Sequence, residues 1–347
     1  MQGEKIQKKT IYDVAREAGV SITTVSRVIN GSTKVKESTR KRVEEACKDY
    51  RPIASARELQ TKKSKTIGVL INHQPEYFFF NETYINALLG ISVAGKECGY
   101  RLLLDINEGD TAASNLFYEQ KVDGFILMGI KKNSPLLAFL EEHDIPFTLV
   151  GSLHEAKNFI GQVDINDQKA VYAATNYLIG LGHRRIGIIT GSLEYASCSD
   201  RLAGYKRAME GAGIPIQEEW IQICENLNEM KAEQLAKHLF YQNPRVTAIV
   251  AFNDQTAMGI YKAAKDCGFS IPDHLSVIGF DDTRVAPYMS PPLTSIWQPS
   301  YEKGEKAMRM LVGYLEKGES LQKREELSCI IMYRESCAAP PEDLPQT

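Results

Sequence analysis

Ile22, Thr23, Thr24, Ser26 and Arg27 place four short side chains and one guanidinium in a run without acids, inside the segment TIYDVAREAGVSITTVSRVIN at residues 10–30. A helix face of this kind can enter a DNA major groove, where Thr meets base edges or thymine methyls and Arg can grip guanine with two hydrogen bonds. Presenting it requires two short helices that cross steeply, and such a crossing needs small or apolar residues wherever the helices touch. Val14, Ala15, Ala18, Val20, Val25 and Val28 occupy those places. Gly19 follows Ala15 by four residues, at the turn, where a left-handed backbone suits a residue without Cβ. Thr10 and Ser21 stand where N-caps belong, and Asp13 follows Thr10 by three in an approximate capping box. The spacing predicts a DNA-reading helix-turn-helix. An ordinary amphipathic hairpin would explain the apolar spacing but not the acid-free outer face.

Charge is distributed to match. Residues 1–65 hold 16 Lys+Arg against 8 Asp+Glu, leaving 25 against 36 in the remaining 282 residues of a chain whose net charge is −3. A basic head on an acidic body concentrates phosphate attraction in one module and keeps DNA off the rest.

The 347 residues are too many for one ordinary core, and the hydrophobic fraction of 43% is that of a water-soluble chain. No run of eighteen apolar residues occurs and the N-terminus has no apolar signal region, so membrane and secreted readings are disfavoured and a cytoplasmic protein is expected. Seven scattered cysteines without a CxxC pair argue against a disulfide framework or zinc site, and are expected to be reduced packing residues.

Beyond residue 65, short β-rich runs alternate with amphipathic helical stretches. Strands are predicted at 66–71, 101–105, 124–128, 147–150, 162–164, 185–190, 248–251, 276–279 and 329–333, and helices at 84–98, 168–181, 201–211, 231–241 and 254–267. This alternation predicts parallel sheets covered on both faces, arranged as two doubly wound lobes. Ligands in such folds bind beyond the carboxyl ends of strands, and two facing lobes would close on one. Between head and body, YRPIASARELQTKKSK at residues 50–65 has a proline suited to a first helical turn, a small-residue face that includes Ala54 and Ala56, and one projecting leucine, Leu59. Such a helix is too short to persist alone. Paired over DNA, it could wedge Leu59 into a minor-groove step. A Lys-rich tether is the alternative. The domain reading is a helix-turn-helix at 9–51, a hinge helix and linker at 52–65, a two-lobed core at 66–338 and a disordered tail at 339–347. The Pro-rich acidic stretch after Cys337 has no heptads, which favours a dimer.

Taken in order, the helix-turn-helix, the YRP…A.A..L hinge, VDIND (163–167), GHRRIGIITG (182–191), DRLAGY (200–205), FND (252–254), IPDHLSVIGFDD (271–282) and PPLTSIWQP (291–299) resemble the lactose-repressor (LacI/GalR) family of bacterial transcription regulators, almost from end to end. The resemblance implies a small all-α DNA-binding domain, a two-lobed α/β core like periplasmic sugar-binding proteins, a homodimer and a palindromic operator. It also implies a small-molecule effector, a carbohydrate or a derivative of one, that alters hinge folding and operator affinity. It places Ile22, Thr23 and Arg27 at the main base-reading positions and Leu59 at the intercalating leucine. Thr10, Tyr12, Ser21, Thr24, Asn30, Tyr50 and Ala56 complete the DNA-binding set. In the core it makes Arg201 the arginine that grips the effector, Asn253 and Asp281 polar groups for sugar hydroxyls or base edges, and Asn72, Asp164 and Ser197 further lining. The aromatic that stacks on the effector is expected among Phe78, Phe79 and Tyr84, and Leu227 stands where the second lobe often has an aromatic. The chain departs from the family pattern by about two residues between Val43 and Tyr50, by Ile53 after Pro52, and by a longer segment at 73–84.

An enzyme is the first rival reading. No GxGxxG, GxxxxGK[ST] or GxSxG occurs, and no histidine stands in HExxH or a triad pattern, so no catalytic residue, metal or cofactor is expected. His183 reads as structural. A transport binding protein lacks the basic head, and an architectural DNA binder has no use for a body of about 270 residues. A corepressor-dependent regulator responding to a nucleobase or a protein uses the same parts with the opposite sign.

Overall fold

The computed structural model describes residues 11–29, 35–47, 63–72, 75–106, 116–117, 119–225, 227–318 and 322–341. The chain divides into two compact units, residues 1–64 and 65–347. The DNA-contact candidates Thr10, Asn30, Tyr50, Ala56 and Leu59, the hinge helix and the last six residues lie outside the described residues.

In the first unit, helices α1 (Ile11–Ala18), α2 (Ile22–Ile29) and α3 (Glu37–Ala46) surround a small core of Val14, Ala15, Ala18, Val25, Val28, Val43 and Ala46. Gly19 has φ 61°, so the chain turns between α1 and α2 in the left-handed conformation expected of it. Ser21 starts α2 by accepting the Thr24 N–H at 3.2 Å.

The second unit holds two six-stranded sheets. The strands in chain order are β1 (Thr66–Ile71), β2 (Arg101–Ile106), β3 (Gly124–Met128), β4 (Phe147–Val150), β5 (Gly161–Ile165), β6 (Ile186–Thr190), β7 (Ile221–Ile223), β8 (Ala248–Ala251), β9 (Ser276–Asp281), β10 (Thr294–Trp297), β11 (Lys323–Leu327) and β12 (Ile330–Met332). Lobe 1 has the order β11-β5-β4-β3-β1-β2, all parallel; lobe 2 has β12-β10-β9-β8-β6-β7, parallel except for β12. The helices are α4 (Pro75–Phe80), α5 (Glu82–Glu97), α6 (Pro135–Glu142), α7 (Asp167–Gly180), α8 (Ala196–Gly211), α9 (Glu229–Phe240), α10 (Asp254–Asp266) and α11 (Ser300–Lys317). The chain crosses between lobes three times, after β5, β10 and β11.

Side-chain alternation along β1 shows why both faces of a sheet are covered. Ile67, Val69 and Ile71 pack under α5 and α11 with Ala94, Met308 and Leu311, while Leu70 faces Leu137 and Leu140 of α6. Helix pairs in both lobes meet at glycines. A Cβ on Gly90 would overlap the Tyr301 carbonyl, one on Gly304 the Ala87 carbonyl, and one on Gly204 the Gln168 carbonyl. These close approaches fix the rotation of α11 and α8, and with it the direction of the polar residues they carry.

Lobe 2 has a clip at the end away from the site. His183, fully enclosed, meets Thr247 Oγ1 at 2.9 Å, Ser276 Oγ at 3.0 Å and the Ala338 carbonyl at 2.9 Å. Burial pushes its imidazole down to about 4. The Ala338 N–H also donates to Ser276 Oγ, at 3.0 Å. The chain is therefore anchored at Ala338, the last residue assigned to the core, whose backbone polar groups find buried partners. All seven cysteines are free thiols. Among the described residues, no helix is long and apolar enough to cross a membrane.

Candidate functional site

On the first unit, Tyr12, Ser21, Ile22, Thr23 and Arg27 are exposed and Thr24 is half-buried, its hydroxyl 2.9 Å from that of Ser21. The outer face of α2 thus combines an aliphatic side chain, hydroxyls and one guanidinium, the inventory that major-groove readout uses.

In the second unit, a cleft lies between the lobes, lined by both. Its lobe 2 wall is built around Arg201 on α8. Arg201 Nε donates to Asp167 Oδ1 at 2.6 Å and Nη1 to the Phe252 carbonyl at 2.6 Å. Its guanidinium carbon lies 4.4 Å from the Phe252 ring centre and 3.5 Å from that of Phe280. Burial pushes the Asp167 carboxyl up to about 6 against the opposing pull of Arg201. The same wall carries Asp281, held at φ 98° and followed by Asp282 at φ 50°, so two consecutive side-chain-bearing residues adopt the left-handed region. Several contacts hold this strained turn, among them an ion pair of Arg334 with Asp282 at 2.6 Å and the Asp282 N–H donated to Ser295 Oγ at 3.2 Å. Gln298 Nε2 donates to Asp281 Oδ1 at 2.5 Å, and Asp254 Oδ2 accepts from the Thr283 N–H at 2.6 Å and its hydroxyl at 2.9 Å. Asp254 also accepts from Ser295 Oγ at 2.5 Å; burial, with the nearby Asp281 charge, pushes its carboxyl up to about 7.

The lobe 1 wall is made differently. Lys303 on α11 donates from Nζ to Asp164 Oδ1 at 2.8 Å, and both residues are buried. Asp164 Oδ2, also buried, has no hydrogen-bond partner among the described residues. Tyr77 and Tyr84 meet edge-to-face with ring centres 5.9 Å apart, and the Tyr77 hydroxyl accepts from Asn81 Nδ2 at 2.9 Å. Burial raises both phenols, which stay protonated donors.

Polar contacts bridge the lobes around the cleft. Arg284 donates to Glu82 from its N–H at 3.0 Å and from Nε at 2.9 Å. Lys132 Nζ reaches Ser199 Oγ at 2.6 Å, His154 Nε2 lies 2.8 Å from Asp200 Oδ2, and the Tyr195 hydroxyl donates to the Asn72 carbonyl at 3.3 Å.

Of the expected effector residues, Tyr84, Asp164, Ser197, Arg201, Leu227 and Asp281 line this cleft. Four do not. Phe78 is fully buried in the lobe 1 core and Phe79 is largely exposed; α4 is helical, and its rotation turns Tyr77 toward the cleft with Tyr84 beside it. Asn253 is the N-cap of α10, its side-chain oxygen accepting from the Thr256 N–H at 2.8 Å and hydroxyl at 2.7 Å, so that oxygen is committed to starting a helix. Asn72 stands beside the cleft and offers Tyr195 its carbonyl. Tyr77, Asn81, Asp167, Tyr195, Gln298 and Lys303 line the cleft without having been expected there. For Asp167 a signal existed, the second acid of VDIND.

Residues 10–52 match the family described as bacterial regulatory proteins, lacI family, and residues 175–337 match a periplasmic binding protein-like domain. Catabolite control protein A of Priestia megaterium is 36% identical over 315 residues, covering 89% of this chain and 93% of that protein. The HTH-type transcriptional repressor PurR of Vibrio campbellii is 35% identical over 332 residues, covering 94% of this chain and 97% of that protein. Among solved structures, the lac repressor dimer bound to operator and the anti-inducer ONPF is 26% identical with a TM-score of 0.84, covering 96% of this chain and 100% of that one. The regulator CelR in complex with cellobiose is 28% identical with a TM-score of 0.75, covering 95% of this chain and 100% of that one. The three-helix head, the paired parallel sheets and these end-to-end likenesses agree: this chain is a DNA-binding transcriptional regulator, not an enzyme, and belongs to the LacI family of bacterial regulatory proteins.

Proposed function

We propose that this regulator is a homodimeric repressor whose operator affinity is set by a neutral carbohydrate held between the core lobes, and that it acts in the cytoplasm, at the nucleoid. One observation carries the choice of ligand class. Both cations lining the cleft are already paired, Arg201 with Asp167 and Lys303 with Asp164, and Asp281 adds a further carboxylate. An anionic sugar acid or phosphate would meet a lining with a surplus of negative charge, whereas hydroxyls can donate to carboxylate oxygens and accept from N–H groups at once. A stacked planar base is less well served, because Leu227 takes the place of a second aromatic wall. Cellobiose in the related CelR supports the same class. Pairing of two copies is supported by Ile85, Leu89 and Val93 on α5, an exposed apolar stripe at helical spacing.

Ligand would act by population shift, binding one lobe arrangement better than another and thereby changing how the dimer presents its two heads to a palindromic site. The test is to select an operator from random DNA, then titrate the full-length protein with neutral sugars, sugar acids, sugar phosphates and nucleobases while following thermal stability and operator affinity. Stabilisation by a neutral sugar together with a change in operator affinity is expected; hits confined to phosphates or nucleobases would overturn the carbohydrate reading. On the DNA side, Arg27→Ala is expected to lose about 1–3 kcal/mol of discrimination between operator and random DNA. Unchanged discrimination would remove Arg27 from base reading.

A further inference from the structure

Lys303 occupies a place where a lysine is costly. It sits on the buried face of α11, one turn before Ala307 and Met308, and its side chain is only 7% exposed. An ammonium there loses its water and must be repaid by Coulombic contact and hydrogen bonds, and an apolar residue would fill the same volume without that cost. Its one carboxylate partner, Asp164, is engaged through Oδ1 alone. Asp164 Oδ2 is buried on the cleft wall with no hydrogen-bond partner among the described residues. An ammonium has three donors, and Asp164 takes one. The pair therefore brings to the cleft an acceptor oxygen and further N–H donors, side by side and oppositely charged. Its geometry is rigid: Gly304 lets α11 press against the Ala87 carbonyl of α5, and Asp164 is fixed in β5 between β4 and β11.

We infer that Lys303 is a specificity-determining residue of the effector site, and that the Lys303–Asp164 pair binds two adjacent hydroxyls of a sugar. One hydroxyl donates to Asp164 Oδ2 while its neighbour accepts from Lys303 Nζ. This inference rests on the carbohydrate reading above and narrows it: the ligand carries a vicinal diol at its lobe 1 end. A purely structural pair leaves the buried Asp164 oxygen without a reason, since an unsatisfied buried acceptor is destabilising.

The experiment measures dissociation constants for full-length wild type and Lys303→Met with D-glucose, D-galactose, D-ribose, cellobiose and maltose, then with the monodeoxy forms of the tightest binder. The expected result is at least a tenfold weaker binding of the parent sugar by Lys303→Met, and one monodeoxy form that both proteins bind within twofold of each other. Should Lys303→Met not fold, the charge-free pair Lys303→Met with Asp164→Asn replaces it, with the same expectation. Equal affinity of wild type and variant for the parent sugar overturns the inference, as does a uniform tenfold loss across every deoxy form, which would mark a structural role. Binding of none of these sugars by wild type overturns the carbohydrate reading itself, before the variant is tested.

Discussion

The two walls of the cleft solve the problem of buried charge in opposite ways. On lobe 2, Arg201 gives one N–H to Asp167, another to the Phe252 carbonyl, and lies between two phenyl rings; the neighbouring Asp281 turn is held in strain by Asp254 and Gln298. On lobe 1, Lys303 and Asp164 make one hydrogen bond and leave a carboxylate oxygen unpartnered. The Arg201–Asp167 pair is a preorganised platform, rigid before ligand arrives, although Gln298 Oε1 on the same wall is buried without a hydrogen-bond partner among the described residues; the Lys303–Asp164 pair gains more of its hydrogen bonding from the ligand. The difference teaches that affinity and selectivity can be divided between lobes, with shape supplied by lobe 2 and hydroxyl pattern read by lobe 1.

The largest expected effect breaks the saturated Arg201–Asp167 pair. Arg201→Ala leaves Asp167 buried without its partner and opens space between Phe252 and Phe280, so the core should lose about 3–5 kcal/mol of stability. Urea denaturation at neutral pH measures it, and a loss below about 1 kcal/mol would mean that Asp167 is rescued by solvent and the wall is not preorganised. Ligand response should vanish as well, while the separate helix-turn-helix unit should retain nonspecific DNA binding.

The titratable groups of lobe 2 sharpen the comparison further, because two of them oppose each other. The Asp254 carboxyl is raised from 3.8 to about 7, so the folded core takes up a proton that the unfolded chain releases; this contribution is complete below pH 3.8 and is lost as pH rises through 7. His183 is lowered from 6.5 to about 4, so its contribution is present above pH 6.5 and is lost as pH falls toward 4. Replacing one group at a time separates them. Asp254→Asn, whose amide can still accept from Thr283 and donate to Ser295, should gain on wild type by a few kcal/mol, roughly, between pH 4 and 8. His183→Gln should gain on wild type by about 3 kcal/mol from pH 6.5 to 4. A stability difference that stays flat across either window would show that the group in question does not change its charge on folding.

Much of this architecture was legible in the sequence, and the failures have physical causes. Strands β1, β3, β4 and β8 were read to the residue because they are buried on both faces and written as continuous apolar runs. β11, KREEL, was missed because an edge strand can carry charges outward, and α11 because a helix opening SYEKGEKA hides its apolar face among lysines and glutamates. The same camouflage hid Lys303, since a lysine in a charged helix reads as solvated until the fold turns it inward. Phe78 and Phe79 were misread because periodicity cannot fix the rotation of a six-residue helix. Asn253 serves as a cap through its oxygen and lines the pocket beside the cleft, because a cap and a ligand contact use the same residue type in the same place, at the end of a strand and the start of a helix. Arg201 and Asp281, which line the cleft, were picked out because their flanking motifs carry a family resemblance that local spacing lacks.

The smallest expected effect concerns the rim, where Arg284 and Glu82 join the two walls outside the cleft. The Arg284 side chain is 89% exposed and Glu82 22%, so water and salt screen the pair even though two hydrogen bonds hold it. Arg284→Ala should therefore change core stability by about 0–1 kcal/mol, with the difference vanishing as salt is raised to about 1 M. Its effect on ligand exchange should be kinetic, a faster release of bound sugar at nearly unchanged equilibrium stability, because a rim contact slows lobe opening without touching what the cleft holds. A stability loss above about 2 kcal/mol that persists in high salt would reverse the assignment, giving this exposed rim pair the energetic weight of a buried one.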